Sequence, residues 1–253
     1  MSALKKKDLF VKELKIDWNV IAPGSYLRNV KSIAGINSLA FHSPITFFVG
    51  ENGTGKSTLL EAMAVAYGFN PEGGTVNYSF STYDSHSELW DAVTLSKSFK
   101  KVHCGYFLRA ESFYNVASNI DQMDREPGCG GPVINSYGGV SLHRQSHGES
   151  FLALVENRFG GQGLYILDEP EAAMSPRGII RLMQNMDELV RRDSQFIIAT
   201  HSPMLLAFPG AEVYQIREEG IDSVRFQDTD HYRTTVRFLQ NPESAVEEIL
   251  GRE

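Results

Sequence analysis

The sequence predicts an α/β fold in which a mostly parallel β-sheet is flanked by helices. Short apolar runs alternate with longer helical patterns along the chain, which is typical of βαβ units. Two of these runs, at residues 164–167 and 196–199, are apolar throughout, as expected for strands that are buried on both faces. A third run, at residues 45–49, leads into a glycine-rich turn and then a helical pattern. Because 253 residues can bury a full α/β core, we predict one domain over residues 1–253.

Several segments have the pattern of strands, because they are short, apolar or alternating, and bounded by turn residues. Strands are predicted at residues 10–16, 26–33, 38–41, 45–49, 76–83, 105–109, 164–167, 196–199, 213–216 and 222–226. The first three predict an N-terminal antiparallel sheet, with a turn at Pro23 and Gly24 between the first two. The last two predict a hairpin across residues 218–220.

Other segments have helical periodicity or the residues that begin and end helices. Helices are predicted at residues 57–67, 87–95, 112–123, 150–158, 176–192 and 243–250. Gly68 is expected to end the first of them. Ser175 and Pro176 are expected to begin the fifth, with serine as the N-cap and proline at the first helical position. The glycine- and proline-rich residues 127–132 predict a loop.

The composition is that of a globular protein and points to no particular polyanionic partner. The net charge is −7, so a globally basic surface for nucleic acid is missing, although a local nucleic-acid site stays open. Cys104 and Cys129 are the two cysteines, which are too few for a zinc site and suit a reducing compartment. No apolar run approaches the ~18 residues of a membrane span, and the N-terminus lacks a signal-peptide core. These features predict a cytoplasmic protein with no membrane span.

Residues 50–57, Gly-Glu-Asn-Gly-Thr-Gly-Lys-Ser, lie between a predicted strand and a predicted helix, which is the context of a phosphate-binding loop. The glycines let backbone N–H groups point into the loop, and the start of the helix adds its positive dipole end. Lys56 is predicted to contact the β- and γ-phosphates, and Ser57 to bind Mg²⁺. The predicted nucleotide-binding residues are Asn52, Gly53, Thr54, Gly55, Lys56, Ser57 and Thr58.

The ends of two other predicted strands supply carboxylates and a histidine. Asp168 and Glu169 follow the run at residues 164–167, at the carboxyl end where α/β folds bind ligands. Asp168 is predicted to hold Mg²⁺ opposite Ser57, and Glu169 to deprotonate or orient the water that attacks the γ-phosphate. His201 follows the next apolar strand and is predicted to contact the γ-phosphate or orient the water. Glu169 and His201 are therefore the predicted catalytic residues.

The order of these motifs resembles that of the ATP-binding-cassette (ABC) ATPase superfamily. The residues similar to its signature motif are Ser146, His147, Gly148 and Glu149. They precede Asp168, and Ser146 lies 22 residues before it. The resemblance covers roughly residues 26–217 and is nearest to the SMC, RecF and overcoming-lysogenization-defect (OLD) branch. It implies a lobe or insertion at about residues 70–160 that bears the signature.

This resemblance implies ATP and Mg²⁺ as ligands and an ATP-dependent homodimer. In such ATPases the signature of one subunit closes over ATP that is held by the phosphate-binding loop of the other. Arg28 is implied near the adenine, and Glu111 as a Mg²⁺ ligand in place of the usual Gln, with a surface charge as the alternative for Glu111. Residues 171–175 match the loop that signals between the two ATP sites.

The predicted function is ATP hydrolysis coupled to a dimerisation switch that acts on an unknown partner protein, in DNA maintenance or phage defence. The alternative is the ATPase subunit of a membrane transporter, which would need a membrane-docking loop and a signature nearer Leu-Ser-Gly-Gly-Gln. A DNA-structural ATPase is disfavoured because only 89 residues, without heptads, separate Lys56 from Ser146. The signature, His201 and the lack of an Asn-Lys-x-Asp motif disfavour a kinase or GTPase.

Overall fold

The structure is a computed structural model that describes residues 8–71, 73–75, 87–109, 147–172 and 174–251. The elements predicted at residues 76–83, 112–123 and 127–132 lie outside the described residues. The described strands are β1 (Val11–Ile16), β2 (Ser38–Ala40), β3 (Ile45–Val49), β4 (Val93–Lys97), β5 (Cys104–Leu108), β6 (Gly163–Asp168), β7 (Gln195–Ala199), β8 (Glu212–Arg217) and β9 (Gly220–Val224). The described helices are α1 (Lys31–Ala34), α2 (Lys56–Tyr67), α3 (Leu89–Ala92), α4 (His147–Arg158), α5 (Pro176–Arg191), α6 (Pro203–Leu206), α7 (Asp230–Gln240) and α8 (Pro242–Leu250).

Six strands form the central sheet, in the order β5-β6-β7-β3-β8-β9. The first five run parallel to their neighbours, and β9 pairs antiparallel with β8 in the predicted hairpin. Every residue of β3, β6 and β7 is buried, as expected for parallel strands that helices cover on both faces. The predicted mostly parallel α/β fold is therefore confirmed.

Helices cover both faces of the central sheet. Successive residues of a strand point to opposite faces, so each buried strand contributes side chains to two separate apolar cores. In β3, Phe48 belongs to the apolar core on the α2 side, whereas Phe47 belongs to the core beneath α4 and α5. In β7, Ile197 and Ile198 divide between the same two cores. Burial of apolar side chains on both faces fixes the sheet, and with it the positions of the strand ends.

A second, three-stranded antiparallel sheet has the order β2-β1-β4 and forms the N-terminal part of the fold. Leu14 of β1 and Val93 of β4 join the apolar core on the α2 side. Gln195 of β7 ties the two sheets together, since its side chain accepts a hydrogen bond from the N–H of Val11 and donates one to the Val11 carbonyl. The predicted N-terminal antiparallel sheet is confirmed, but its third strand, β4, comes from later in the chain.

The strand predicted at residues 26–33 is wrong. The chain instead forms a 3-10 turn at Tyr26–Asn29, followed by α1. Ser25 caps the turn, because its hydroxyl accepts a hydrogen bond from the N–H of Leu27. Leu27 and Ile33 are buried in one core, with Val30 packed against it. Apolar residues that recur every three positions suit helical turns and not the two-residue period of a strand.

The helix predicted at residues 87–95 is wrong in its extent. Helix α3 covers only Leu89–Ala92, and the chain continues as β4 from Val93. The β-branched residues Val93 and Thr94 favour the extended conformation. Strands β4 and β5 lie within residues 70–160 and belong to the two sheets, and the lobe at about residues 70–160 stays a prediction.

Helix α8 agrees with the helix predicted at residues 243–250, whereas α7 before it was not predicted. None of the residues of α7 is fully buried in the structure. Thr229 caps α7, accepting a hydrogen bond from the N–H of Tyr232 and donating one to the carbonyl of Phe226. Residues just before α7 thereby fix where the helix begins.

Candidate nucleotide-binding site

The predicted site residues meet at the carboxyl ends of three neighbouring strands, β6, β7 and β3. Strand β3 leads into the loop at residues 50–55, β6 into Glu169, and β7 into Thr200 and His201. Open α/β sheets bind their ligands at this edge. Three motifs that lie far apart in the sequence therefore form one candidate site.

The loop has the curled backbone that phosphate binding requires. Gly53 and Gly55 have φ angles of +81° and +84°, in the left-handed region that favours glycine. A Cβ atom on Gly55 would lie 2.1 Å from Cδ1 of Ile33, and one on Gly50 would lie 2.4 Å from the carbonyl oxygen of Ile216. The loop therefore packs tightly between α1 and β8, at positions that only glycine fits.

Lys56 is the first residue of α2, and only 4% of it is exposed. Its Nζ donates hydrogen bonds to the carbonyl oxygens of Gly50, at 2.8 Å, and Glu51, at 3.0 Å. Burial lowers the pKa of Lys56, whereas the carboxylates of Glu169 and Asp168 raise it. A bound anion in the loop would offset the cost of burying this ammonium group.

Ser57 and Asp168 form a direct contact across 111 positions of sequence, in which the Ser57 hydroxyl donates to Oδ1 of Asp168 over 3.1 Å. Burial raises the pKa of Asp168 to about 6, and the hydrogen bond from Ser57 acts in the opposite direction. A hydroxyl beside a carboxylate offers hard oxygen ligands that fit Mg²⁺. Within the described residues no group of three or more His, Cys, Asp or Glu could hold a metal ion.

Glu169 is held next to His201 by an uncommon backbone conformation. Its φ angle is +47°, and its N–H donates to the carbonyl of Ala199 at 2.9 Å. Its carboxylate Oε1 lies 3.1 Å from Nε2 of His201, and both side chains are about one-third exposed. Such conformations persist where the surrounding structure fixes them, and they cluster at active sites. The carboxylate and the imidazole can therefore act on one molecule of water at the open edge of the sheet.

Glu171 organises the loop that carries His201, although its side chain was not predicted to do so. Its Oε1 accepts hydrogen bonds from the Thr200 hydroxyl at 2.6 Å, the His201 N–H at 2.7 Å and the Ser202 N–H at 3.1 Å. Its Oε2 is buried and has no hydrogen-bond partner among the described residues. No local sequence pattern marks this role, because the contact joins residues about 30 positions apart.

The residues similar to the signature are only partly described. Ser146 and Glu111 lie outside the described residues, as does the side chain of His147. Helix α4 begins at His147, with Gly148 buried and Glu149 exposed in its first turn. The described end of the predicted signature therefore lies at the start of a helix, and the roles of Ser146 and Glu111 stay predictions.

Arg28 has a structural role that accounts for its position. Its guanidinium donates hydrogen bonds to the carbonyl oxygens of Trp18, Ile21 and Ala22. These bonds tie the segment after β1 to the 3-10 turn at Tyr26–Asn29. The predicted contact of Arg28 with adenine stays a prediction.

A cavity of about 520 Å³ adjoins the phosphate-binding loop. It is lined by residues 29–32, 50–54, 215–218 and 230–231. The predicted nucleotide-binding residues Asn52, Gly53 and Thr54 are among them. Asp230 and His231 of α7 also line the cavity, and no sequence pattern marks them, because only the fold brings this helix to the loop.

The fold and the geometry of the site define a P-loop nucleotide-binding protein. A family model described as "AAA domain" matches residues 26–109, which include the phosphate-binding loop. A second, described as "AAA domain, putative AbiEii toxin, Type IV TA system", matches residues 141–207, which include Asp168, Glu169 and His201. In these two regions the chain is similar to ATPases of the AAA/ABC type.

Two curated proteins are similar in sequence. "Retron Vc95 probable ATPase" from Vibrio cholerae serotype O1 biovar El Tor is 29% identical over 126 residues, which are 43% of this chain and 24% of that protein. A nucleoside import ATP-binding protein from Lactococcus lactis subsp. cremoris is 23% identical over 225 residues, which are 81% of this chain and 42% of that protein. The matched regions thus span a quarter to two-fifths of these longer relatives.

Solved structures are similar in fold at low sequence identity. An ATP-bound bacterial Atm1-family ABC exporter matches with a TM-score of 0.51 and 14% identity, over 93% of this chain and 43% of that chain. A nucleotide-free ATP-binding cassette from an ABC transporter has a TM-score of 0.49 and 13% identity, over 93% and 98% of the two chains. The exporter match supports the P-loop α/β fold. Within the described residues, no helix has the length and apolar character needed to cross a membrane.

Proposed function

We propose that this protein is an ATPase and that it acts as a dimerisation switch. Two subunits close on ATP and separate after hydrolysis, and this motion acts on a partner protein. The observation that carries the catalytic part is the geometry at one edge of the sheet. There the Lys56 ammonium lies over the loop, the Ser57 hydroxyl contacts Asp168, and Glu169 contacts His201. These groups are the ones that phosphoryl transfer to water requires.

Binding of ATP is assigned to the loop and to the start of α2. Backbone N–H groups of the loop and the Lys56 ammonium bind the β- and γ-phosphates, helped by the positive end of the helix dipole. The Ser57 hydroxyl and the Asp168 carboxylate would hold Mg²⁺. Mg²⁺ bound there would neutralise charge on the phosphate oxygens.

Hydrolysis is assigned to Glu169 and His201. The Glu169 carboxylate accepts a proton from water, whose oxygen forms a bond to the γ-phosphorus while the bond from that phosphorus to the ADP oxygen breaks. The products are ADP and phosphate. His201 orients the water and the γ-phosphate through Nε2, the ring nitrogen that lies 3.1 Å from the Glu169 carboxylate.

The dimer part of the proposal depends on the resemblance to ABC ATPases. The Ser146 hydroxyl would donate a hydrogen bond to ATP that is bound in the other subunit. Gly148, which has no side chain, would permit that ATP to approach closely. The described start of α4 at His147 supports this assignment, because a helix N-terminus favours a phosphate. Residues 171–175 would carry the signal between the two sites.

Glu169→Gln tests the switch directly, because an amide keeps the shape of the side chain and cannot accept the proton. We expect ATP binding to persist, turnover to fall by about a hundredfold or more, and a dimer to accumulate with ATP and Mg²⁺. Size-exclusion chromatography with light scattering would measure the mass, and release of phosphate would measure turnover.

Glu219→Gln, in the exposed turn between β8 and β9, is the matched control and should behave like the wild type. A Glu169→Gln protein that binds ATP and stays monomeric at high protein concentration would contradict the dimerisation switch. Unchanged turnover in Glu169→Gln would contradict the catalytic assignment.

We place the switch in phage defence or DNA maintenance. The retron relative and the toxin named in the second family description support defence. Transport is the second candidate, favoured by the nucleoside import relative, whose match covers 81% of this chain. Affinity purification with the trapped Glu169→Gln dimer distinguishes the two. An integral membrane protein recovered from detergent-solubilised membranes would support transport, and a nuclease, toxin or nucleic acid would support defence.

A further inference from the structure

A second histidine, His231, contacts His201 from the C-terminal part of the chain. Its Nε2 lies 2.8 Å from Nδ1 of His201, and the two ring centroids are 5.0 Å apart. His231 is the second residue of α7 and also lines the cavity beside the phosphate-binding loop. A side chain outside the motif region thus touches the predicted catalytic histidine.

The start of α7 is anchored so that His231 has little freedom to move away. Thr229 is buried and caps the helix through its hydroxyl. Asp230 accepts hydrogen bonds from the side chains of Gln215 and Arg217, both in β8. Three consecutive residues therefore hold the first turn of α7 against the 3-10 turn at Phe226–Asp228, against β8 and against the loop that follows β7.

The contact between the two rings constrains where their protons lie. Two imidazole nitrogens at 2.8 Å share one proton, because one must donate and the other must accept. If His231 donates from Nε2, neutral His201 carries its own proton on Nε2 and donates it to Glu169. If neutral His201 donates from Nδ1, its bare Nε2 faces the carboxylate of Glu169, and two acceptors oppose each other. Only the first arrangement pairs a donor with an acceptor at both contacts of His201.

The surroundings of His231 favour its neutral form, which carries a single proton. Burial, and then the neighbouring His201, lower the pKa of His231. Its Nδ1 is buried and has no hydrogen-bond partner among the described residues. Nδ1 has no described partner in either tautomer, so the two contacts of His201 decide, and they put the proton of His231 on Nε2, where it meets His201.

We propose that His231 is a positioning residue that fixes the tautomer and the orientation of His201, and so couples helix α7 to ATP hydrolysis. This inference rests on the proposed function, since it assumes that His201 orients the attacked phosphate. It extends that function by adding the C-terminal helix to the catalytic apparatus. The hydrogen bond at one imidazole nitrogen decides which proton the other nitrogen presents.

His231→Phe and His231→Gln form the matched pair that tests this proposal. Phenylalanine keeps a flat ring but removes the donor, so we expect kcat for ATP hydrolysis to fall by about ten- to a hundredfold, by analogy with the loss of a partner that orients a metal-bound histidine. The KM for ATP should change little, because the phosphate-binding loop is untouched. Glutamine can place an N–H near the position of Nε2, and it should restore turnover to within a few-fold of the wild type.

Three further variants separate a positioning role of His231 from a general effect on the fold. Adding His231→Phe to His201→Ala should cause no additional loss, because His231 acts only through His201. Thr234→Ala, at an exposed position of the same helix, should have no effect. If His231→Phe fails to fold in a thermal melt, His231→Asn replaces it, because the shorter asparagine cannot reach His201 and should not restore turnover.

The inference and the proposed function fail in different ways. Wild-type turnover in His231→Phe, with turnover lost in His201→Ala and Glu169→Gln, would overturn the positioning role and leave the proposed function standing. Equal turnover in the Gln and Asn variants would likewise overturn it. Wild-type turnover in His201→Ala would overturn the role of His201 and this inference together.

Discussion

At the scale of single residues, the site contains two charged side chains, Lys56 and Asp168, that are almost completely buried. Lys56 is 4% exposed and Asp168 is 6% exposed, although lysine and aspartate are seldom buried without a partner. Lys56 bonds only carbonyl oxygens in the described structure, and Asp168 receives a hydrogen bond from Ser57. Both groups carry a desolvation cost that a magnesium nucleotide would relieve, and this cost makes the stability of the protein sensitive to ligand and pH.

The raised pKa of Asp168 predicts how stability depends on pH. Its pKa rises from 3.8 to about 6 on folding, so its contribution to stability is full below pH 3.8 and is lost as the pH rises through 6. Asp168→Asn keeps the shape and removes the charge. Without metal or nucleotide we expect this change to stabilise the fold by ~1–2 kcal/mol at pH 8, or roughly 2–8 °C in Tm. At pH 4.5 the gain should be smaller.

Thermal melts in EDTA at the two pH values would measure this difference. Asp222→Asn, at an exposed position of β9, is the control and should show no such pH-dependent gain. An equal change in Tm at both pH values would mean that ionisation of Asp168 is not the cause. With ATP and Mg²⁺, the Asp168→Asn protein should lose magnesium-dependent turnover.

At the scale of elements, the phosphate-binding loop depends on packing against its neighbours as much as on its own backbone. The loop is bounded by α1 on one side and β8 on the other, and Ser32 of α1 donates its hydroxyl to the carbonyl of Thr54 at 2.8 Å. Helix α1 occupies the segment for which the sequence predicted a strand. The local conformation of that segment therefore bears directly on the shape of the loop.

Gly55→Ala tests this dependence. The change forces an alanine into a φ of +84° and places its Cβ 2.1 Å from Ile33 Cδ1. We expect a loss of stability of ~1–3 kcal/mol and at least about a tenfold weaker binding of a fluorescent ATP analogue. Gly24→Ala is the control, because its Cβ would meet no atom within 4 Å. Wild-type nucleotide binding in Gly55→Ala would show that the curled loop is not the phosphate site.

At the scale of the whole molecule, the site is assembled from parts that are far apart in the chain. Strands β3, β6 and β7 bring the loop, the two carboxylates and His201 to one edge, and helix α7 adds His231. In the proposed dimer, a second subunit completes the site with its signature residues, Ser146, His147, Gly148 and Glu149. Activity in that case belongs to the dimer and not to one chain.

Ser146→Arg tests the contribution of the second subunit. A bulky cation at the signature should prevent closure, so the double variant with Glu169→Gln should stay monomeric with ATP and Mg²⁺ and still bind nucleotide. Light scattering and nucleotide titration would measure the two properties separately. Ser223→Arg, at an exposed position of β9, is the control and should leave the trapped dimer intact. Loss of nucleotide binding together with dimerisation would assign Ser146 to its own subunit.

Much of the fold was predictable, because the strongest patterns are local. The apolar runs at β3, β6 and β7 and the helix signals at Gly68 and Ser175 agree with the structure. The error at residues 26–33 arises because a three-residue apolar period was interpreted as a strand, and the error at residues 87–95 arises because a short apolar segment divides between a helix and a strand. In those segments, packing against the core on the α2 side decides between them.

By itself the sequence determined the fold class and which polar residues lie at the strand ends, because both follow from residues adjacent in the chain. The loop at residues 50–57 and the pair Asp168 and Glu169 are motifs of this kind. Only the tertiary structure decided that Glu171 fixes the His201 backbone and that His231 contacts its ring. Those contacts join residues about 30 positions apart, and they exist only because burial of the two cores places β7, the loop after it and α7 side by side.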